Sequence, residues 1–337
     1  MKFWKITFIS SLFISTMIVI SSSSWMSMWI GLEINMLSFI PLIIFNNKNS
    51  CESAIKYFFT QAIASSMILL SIILMMTKNN EISSIFSNWE ILIMNSSLLM
   101  KTGMAPFHFW FPEVIEGLEW LGSLLLLTWQ KISPLVILMF NMKFNLFFSI
   151  VIILSASISS IMAINQTSIR KIMAYSSINH LSWMLSSMII NQTIWMIYFI
   201  IYSLMTLNII LIFKLNNMFF SPQILSSWSS SPMMKLMILL SIMSLAGIPP
   251  FIGFFPKWLI IQMLMEKEFY LISISLIMMT LIMIFVYLNL IFSSLILSSS
   301  KMNWMNNFSI NKNKLLILSN SFIIMSLLFS TLLFNNI

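Results

Sequence analysis

Long apolar runs separated by short polar interruptions set the pattern of this 337-residue chain. About 20 apolar residues are what an α-helix needs to cross the ~30 Å hydrocarbon core of a bilayer. On that measure the chain reads as eleven transmembrane helices, at about 1–24, 25–45, 54–77, 90–110, 118–140, 144–165, 168–190, 193–214, 233–263, 270–298 and 314–334. The first run follows Lys2 and Lys5 and resembles a signal peptide. It is longer than a signal h-region and ends in four serines without a small-residue cleavage site, so it reads as a retained helix. The connection 215–232, rich in Ser and Asn, is the longest and is too short for a domain.

Two of the runs are interrupted in the same way. Gly103, Pro106, Phe107, Phe111 and Pro112 spell G-x-x-P-F-x-x-x-F-P, and Gly247, Pro250, Phe251, Phe255 and Pro256 spell it again 144 residues later. Four of the nine prolines fall in these copies, so chance recurrence is the weaker reading. Each proline removes a backbone donor and clashes one turn back. Irregular backbone at membrane depth survives only where protein buries it or a wet cavity borders it. Broken helices at corresponding places in two halves are the sequence sign of an inverted repeat. The predicted fold is therefore an all-α polytopic membrane protein, one transmembrane domain over 1–337. It holds two inverted five-helix repeats, 1–143 and 144–298, with discontinuous fourth and ninth helices and an extra helix at 314–334.

Composition narrows the function. With 59% hydrophobic and 8% charged residues, no water-soluble fold of this length is tenable. The single Cys51 excludes an internal disulfide and a thiolate cluster. Nucleotide, iron–sulfur and zinc motifs are absent from the sequence. The net charge of +8 comes from lysines beside the helices, which points to an anionic membrane surface and away from nucleic acid. On the eleven-helix reading, eleven bases, Arg170 among them, lie on the N-terminal side, and Lys78, Lys143 and Lys267 lie on the other. The positive-inside rule then places the N-terminus in the compartment of synthesis.

The three remaining bases, Lys101, Lys131 and Lys257, fall inside spans. Glu33 lies roughly 12 Å into the second helix at ~1.5 Å per residue. A lysine at mid-span costs about 2.5–3.5 kcal/mol on insertion scales. Burial and a neighbouring carboxylate act in opposite senses on its proton affinity, so it can change from acceptor to donor as the neighbour moves. Four such groups on separate helices suit a proton relay; the competing reading is snorkelling or a static Glu–Lys pair. His108 and His180 lack companions for a metal or haem site, and hydrogen-bonded packing is the simpler role. His180, in AYSSINH, is retained as a possible relay member.

Five segments resemble one family: WIGLEINMLSFIP around Glu33, KTGMAPFHFWFPEVIEG, TWQKISP around Lys131, NQTSIRKIMAYSSINHLSWM and GIPPFIGFFPKWL. They are similar to NADH dehydrogenase subunit 2, the mitochondrially encoded antiporter-like subunit of respiratory complex I. The eleven-helix length resembles the short animal form, and the methionine-rich, arginine-poor composition resembles insect mitochondrial products. The resemblance spans helices two to ten, with Ser182 standing where a glycine is expected.

It implies that Glu33 and Lys101 form a coupled pair answering to a neighbouring subunit, that Lys131 is the central proton carrier, and that Lys257 controls exit. It implies no cofactor or metal in this chain, with NADH, FMN, iron–sulfur clusters and ubiquinone handled by other subunits. The partners would be other complex I membrane subunits, including antiporter-like ones, and lipids. The location would be the mitochondrial inner membrane, N-terminus in the matrix and C-terminus in the intermembrane space. The alternatives are a free-standing cation/proton antiporter of the same fold, or a structural membrane subunit. The chain has no aspartate for an ion-exchange pocket, and polar groups on four helices speak against a purely structural role.

Overall fold

The computed structural model describes residues 3–44, 48–78, 87–142, 146–227, 232–249 and 251–296. The chain divides into two units, 1–144 and 145–337.

In the first unit, α1 (Phe3–Ser21) and α2 (Trp25–Ile43) pack side by side, and α3 (Lys48–Lys78) follows against α2. Ser24 opens α2 as an N-cap, its Oγ accepting from the Ser27 amide at 3.3 Å. The fourth run is divided: α4 (Ser87–Thr102) stops, and α5 (Trp110–Gly117) resumes after seven non-helical residues. Both pieces pack on α3. The run expected as one helix at 118–140 is also two pieces, α6 (Trp120–Leu127) and α7 (Trp129–Asn141). They meet at Thr128, whose φ of −116° and ψ of −70° leave regular helix geometry. The apolar pattern runs straight through this point, so periodicity alone gave no sign of the kink.

In the second unit, α8 (Leu146–Ala163), α9 (Ile169–Ile190) and α10 (Gln192–Leu215) form successive antiparallel neighbours. The connection expected to be plain loop contains a short helix, α11 (Ser221–Ser227), and a single bridge between Ser168 and Phe220. Next come α12 (Pro232–Ala246) and α13 (Phe254–Glu266), the two pieces of the second broken run, then α14 (Tyr270–Ile296). The centre of the unit is α9, which touches α8, α10, α13 and α14 and is buried over nearly its whole length. It carries Ser176, Ser177, Asn179, His180, Ser182, Ser186 and Ser187 inward. Its serine hydroxyls bond carbonyls three residues back, for example Ser182 to Asn179 at 2.6 Å. That satisfies each of these serine hydroxyls inside its own helix, as a lipid-embedded bundle favours.

Among the described residues seven helices are long and apolar enough to cross a membrane. They display many large apolar side chains outward, such as Ile14, Phe59, Leu146, Ile200 and Leu281. In water that surface would be untenable; in lipid it costs nothing. Pro250 and the expected helix 314–334 lie outside the described residues.

Candidate functional site

The helix α4 brings Lys101 to its last turn and then ends in a Schellman arrangement. The Gly103 amide bonds the Met100 carbonyl at 3.2 Å, and the Met104 amide bonds the Leu99 carbonyl at 3.1 Å. Gly103 adopts φ +75°, open to glycine at little cost. A Cβ there would also sit 2.8 Å from the Phe111 ring, so the returning chain presses against the helix end. Trp110 completes the closure by donating its indole N–H to the Met100 carbonyl at 3.1 Å. Pro106 lies in the gap, and Pro112 sits in the first turn of α5, where its missing N–H is harmless.

Behind this break lies a small cavity of about 20 Å³. Lys101, Thr102, Trp110 and Phe111 line it from the break, and Gln130, Lys131 and Ser133 line it from α7. Lys131 is 2% exposed and Lys101 8%, so two lysines on different helices share one secluded space. The Lys131 ammonium lies 5.3 Å from the centre of the Phe111 ring, within cation–π range. Asn35 from α2 and Tyr57 and Gln61 from α3 add neutral polar atoms to the wall. That volume and its polar wall are enough for about one water molecule, which needs two to four hydrogen-bond partners.

Four hydrogen bonds tie the wall together. Gln61 Nε2 donates to the Lys101 carbonyl at 3.3 Å. Tyr57 donates its hydroxyl to Gln130 Oε1 at 3.3 Å. Gln130 Nε2 donates to Asn35 Oδ1 at 3.1 Å, and Asn35 Nδ2 donates to Ser133 Oγ at 3.0 Å. The sequence reading did not single out Asn35, Tyr57, Gln61, Gln130 or Ser133.

Glu33 is partly buried on α2 and does not line the cavity. Glu33 and Lys101 form no ion pair of 4.0 Å or less among the described residues. Outside the cavity, Lys56 pairs with Glu113 at 2.8 Å and Glu52 at 2.9 Å, on exposed surface. His108 is buried in the break at 2% exposure; its Nδ1 has no hydrogen-bond partner among the described residues, and its ring lies 4.4 Å from Phe109.

The second unit holds Lys257 and His180. Gly247 ends α12 at φ +74°, matching Gly103. Here the group beneath the glycine is Lys257, which donates its ammonium to the Ala246 carbonyl at 2.8 Å. Pro256 lies early in α13, as Pro112 does in α5. His180 bonds through Nδ1 to the Tyr198 hydroxyl at 2.8 Å, with the Tyr202 ring 5.1 Å away. Among the described residues no cluster of three or more His, Cys, Asp or Glu is suited to hold a metal ion.

Broken helices in an apolar bundle, with two buried lysines beside a polar cavity, are features of a transporter-like helical membrane protein. Residues 22–284 match the family profile of NADH:quinone oxidoreductase/Mrp antiporter transmembrane proteins. NADH-ubiquinone oxidoreductase chain 2 of Anopheles gambiae is 49% identical over 80% of this chain and 79% of its own length. The chain 2 protein of Aedes aegypti is 46% identical over 95% and 94%. In structure the chain is similar to a chain of respiratory complex I from Thermus thermophilus, with a TM-score of 0.85 at 19% identity, covering 98% of this chain and 80% of that one. The chain belongs to the NADH:quinone oxidoreductase/Mrp antiporter family, within its NADH-ubiquinone oxidoreductase chain 2 branch.

Proposed function

We propose that this chain is an antiporter-like, proton-translocating membrane subunit of respiratory NADH:ubiquinone oxidoreductase. The observation that carries the reading is the cavity shared by Lys101 and Lys131, secluded in the first unit and walled by neutral polar groups. A secluded ammonium can give up its proton to water and regain it, at a position set by the helices around it. Lys131 acts as the central carrier. Glu33 on α2 and Lys101 in the last turn of α4 act as the coupled pair. Lys257 passes or blocks the proton on the exit side, and His180 is a further relay member.

The chain serves in the enzyme complex without a redox centre or metal of its own, and NADH, FMN, iron–sulfur clusters and ubiquinone act in other subunits. Its partners are the other membrane subunits, antiporter-like ones included, and the surrounding lipid. It resides in the mitochondrial inner membrane with the N-terminus in the matrix and the C-terminus in the intermembrane space. The two halves are copies of one five-span unit, and an odd number of spans makes the second copy start from the opposite side.

Lys131→Met tests the reading. The complex should assemble with its redox chemistry intact and lose coupled turnover. Wild-type turnover and proton yield would remove Lys131 from the pathway.

A further inference from the structure

We infer that Asn35 is a positioning residue for Lys131, gripping from both sides the turn that carries it. That turn is poorly held by its own helix. Thr128 leaves helical geometry just before it, and Pro134 just after it has no N–H to offer the Gln130 carbonyl. Asn35 supplies the missing restraint from α2. Its carbonyl oxygen accepts from Gln130 Nε2 at 3.1 Å, and its amide nitrogen donates to Ser133 Oγ at 3.0 Å. Gln130 immediately precedes Lys131 in the chain, and Ser133 follows two positions later, so the two arms straddle the lysine. The Tyr57 hydroxyl, donating to Gln130 Oε1 at 3.3 Å, fixes which way the Gln130 amide faces.

The chain Tyr57, Gln130, Asn35, Ser133 is not a proton wire. A side-chain amide holds a proton on its oxygen only at extreme acidity, so it orders its neighbours and does not relay. What it transmits is position. Asn35 lies two residues beyond Glu33 on the same helix, so displacement of α2 is carried directly to the Lys131 turn.

The second unit provides an internal control. Ile34-Asn35-Met36-Leu37-Ser38-Phe39 recurs as Ile178-Asn179-His180-Leu181-Ser182-Trp183, again 144 residues on. At Asn179 the amide nitrogen has no hydrogen-bond partner among the described residues. The residue at the Lys131 offset is Ser275, on the unbroken helix α14. The helix therefore seats without the clamp, and the clamp occurs where a lysine-bearing turn needs holding.

This inference rests on the reading of Lys131 as proton carrier. The test compares whole complexes carrying Asn35→Leu, Ser133→Ala, Ser133→Thr, Asn35→Leu with Ser133→Ala, or Lys131→Met. Losing either arm should lower coupled turnover per assembled complex by about three- to tenfold, the effect of one hydrogen bond. It should also displace the pH profile of turnover. Ser133→Thr, which keeps the hydroxyl, should restore both, and the double variant should be no worse than Asn35→Leu alone. If Asn35→Leu prevents assembly, Ser133→Ala decides. An Asn35→Leu or Ser133→Ala complex with wild-type turnover and pH profile, beside a defective Lys131→Met complex, would overturn the clamp alone. A loss confined to the amount assembled would do the same. Wild-type turnover in Lys131→Met would bring down the carrier reading, and the clamp with it.

Discussion

The two broken helices end in the same backbone geometry and close it with different chemistry. In both, a glycine near φ +75° stops the helix and the chain resumes at a proline-bearing first turn. In the first unit a neutral indole, Trp110, bonds the last-turn carbonyl, and the lysine of that helix faces the cavity. In the second unit the ammonium of Lys257 does the bonding, where a cation also complements the negative end of α12. The 144-residue offset sharpens the contrast: Glu33, Lys101 and Lys131 correspond to Ser177, Leu245 and Ser275, while Lys257 corresponds to Glu113. On the proposed relay, the first unit would separate closing the break from holding a proton, and the second would assign both to Lys257.

The contrast can be broken by substitution. Gly103→Ala should have the largest effect, because the left-handed backbone costs about 1–2 kcal/mol and overpacking against the Phe111 ring adds about 1–3 kcal/mol. Gly247→Ala should cost less, since the nearest atom is the end of the flexible Lys257 side chain, which can shift at the expense of its bond to Ala246, although the Gly253 carbonyl at 3.1 Å is also close. Thermal stability of the assembled complex measures both, and equal losses would contradict the difference. Lys257→Met should come next, removing a charged hydrogen bond of about 1.5–3 kcal/mol and proton exit together. Trp110→Phe should cost about 1 kcal/mol in stability and leave proton yield nearly unchanged. Lys56→Met should have the smallest effect, because Lys56 and its partners Glu52 and Glu113 are solvent-exposed. A larger loss there would mean that the surface pairs fix α5.

The breaks were legible because glycine and proline are scarce in this chain and each acts on the backbone alone, so their pattern survives reading along a line. The lysines were legible because a charge inside an apolar run is costly wherever its partners lie. The kink at Thr128 was not: it falls among leucines and a tryptophan that suit a straight helix. Asn35, Gln130 and Ser133 were missed because serine and asparagine are abundant here, and bonds spanning 95 and 98 positions leave no periodic trace. The recurrence of Ile-Asn-x-Leu-Ser at 144 residues was the available signal, and it marks the helix position without revealing which copy is clamped. The short helix α11 was hidden for another reason, since Ser-Pro at its start reads equally well as a turn.

The most direct measurement is the number of protons moved per electron pair by assembled complex carrying Lys101→Met. Because Trp110, not Lys101, bonds the Met100 carbonyl, this variant should keep wild-type thermal stability and show a lower proton yield. A wild-type yield, or a fall in yield matched by loss of the folded complex, would contradict the separation of cap and carrier in the first unit.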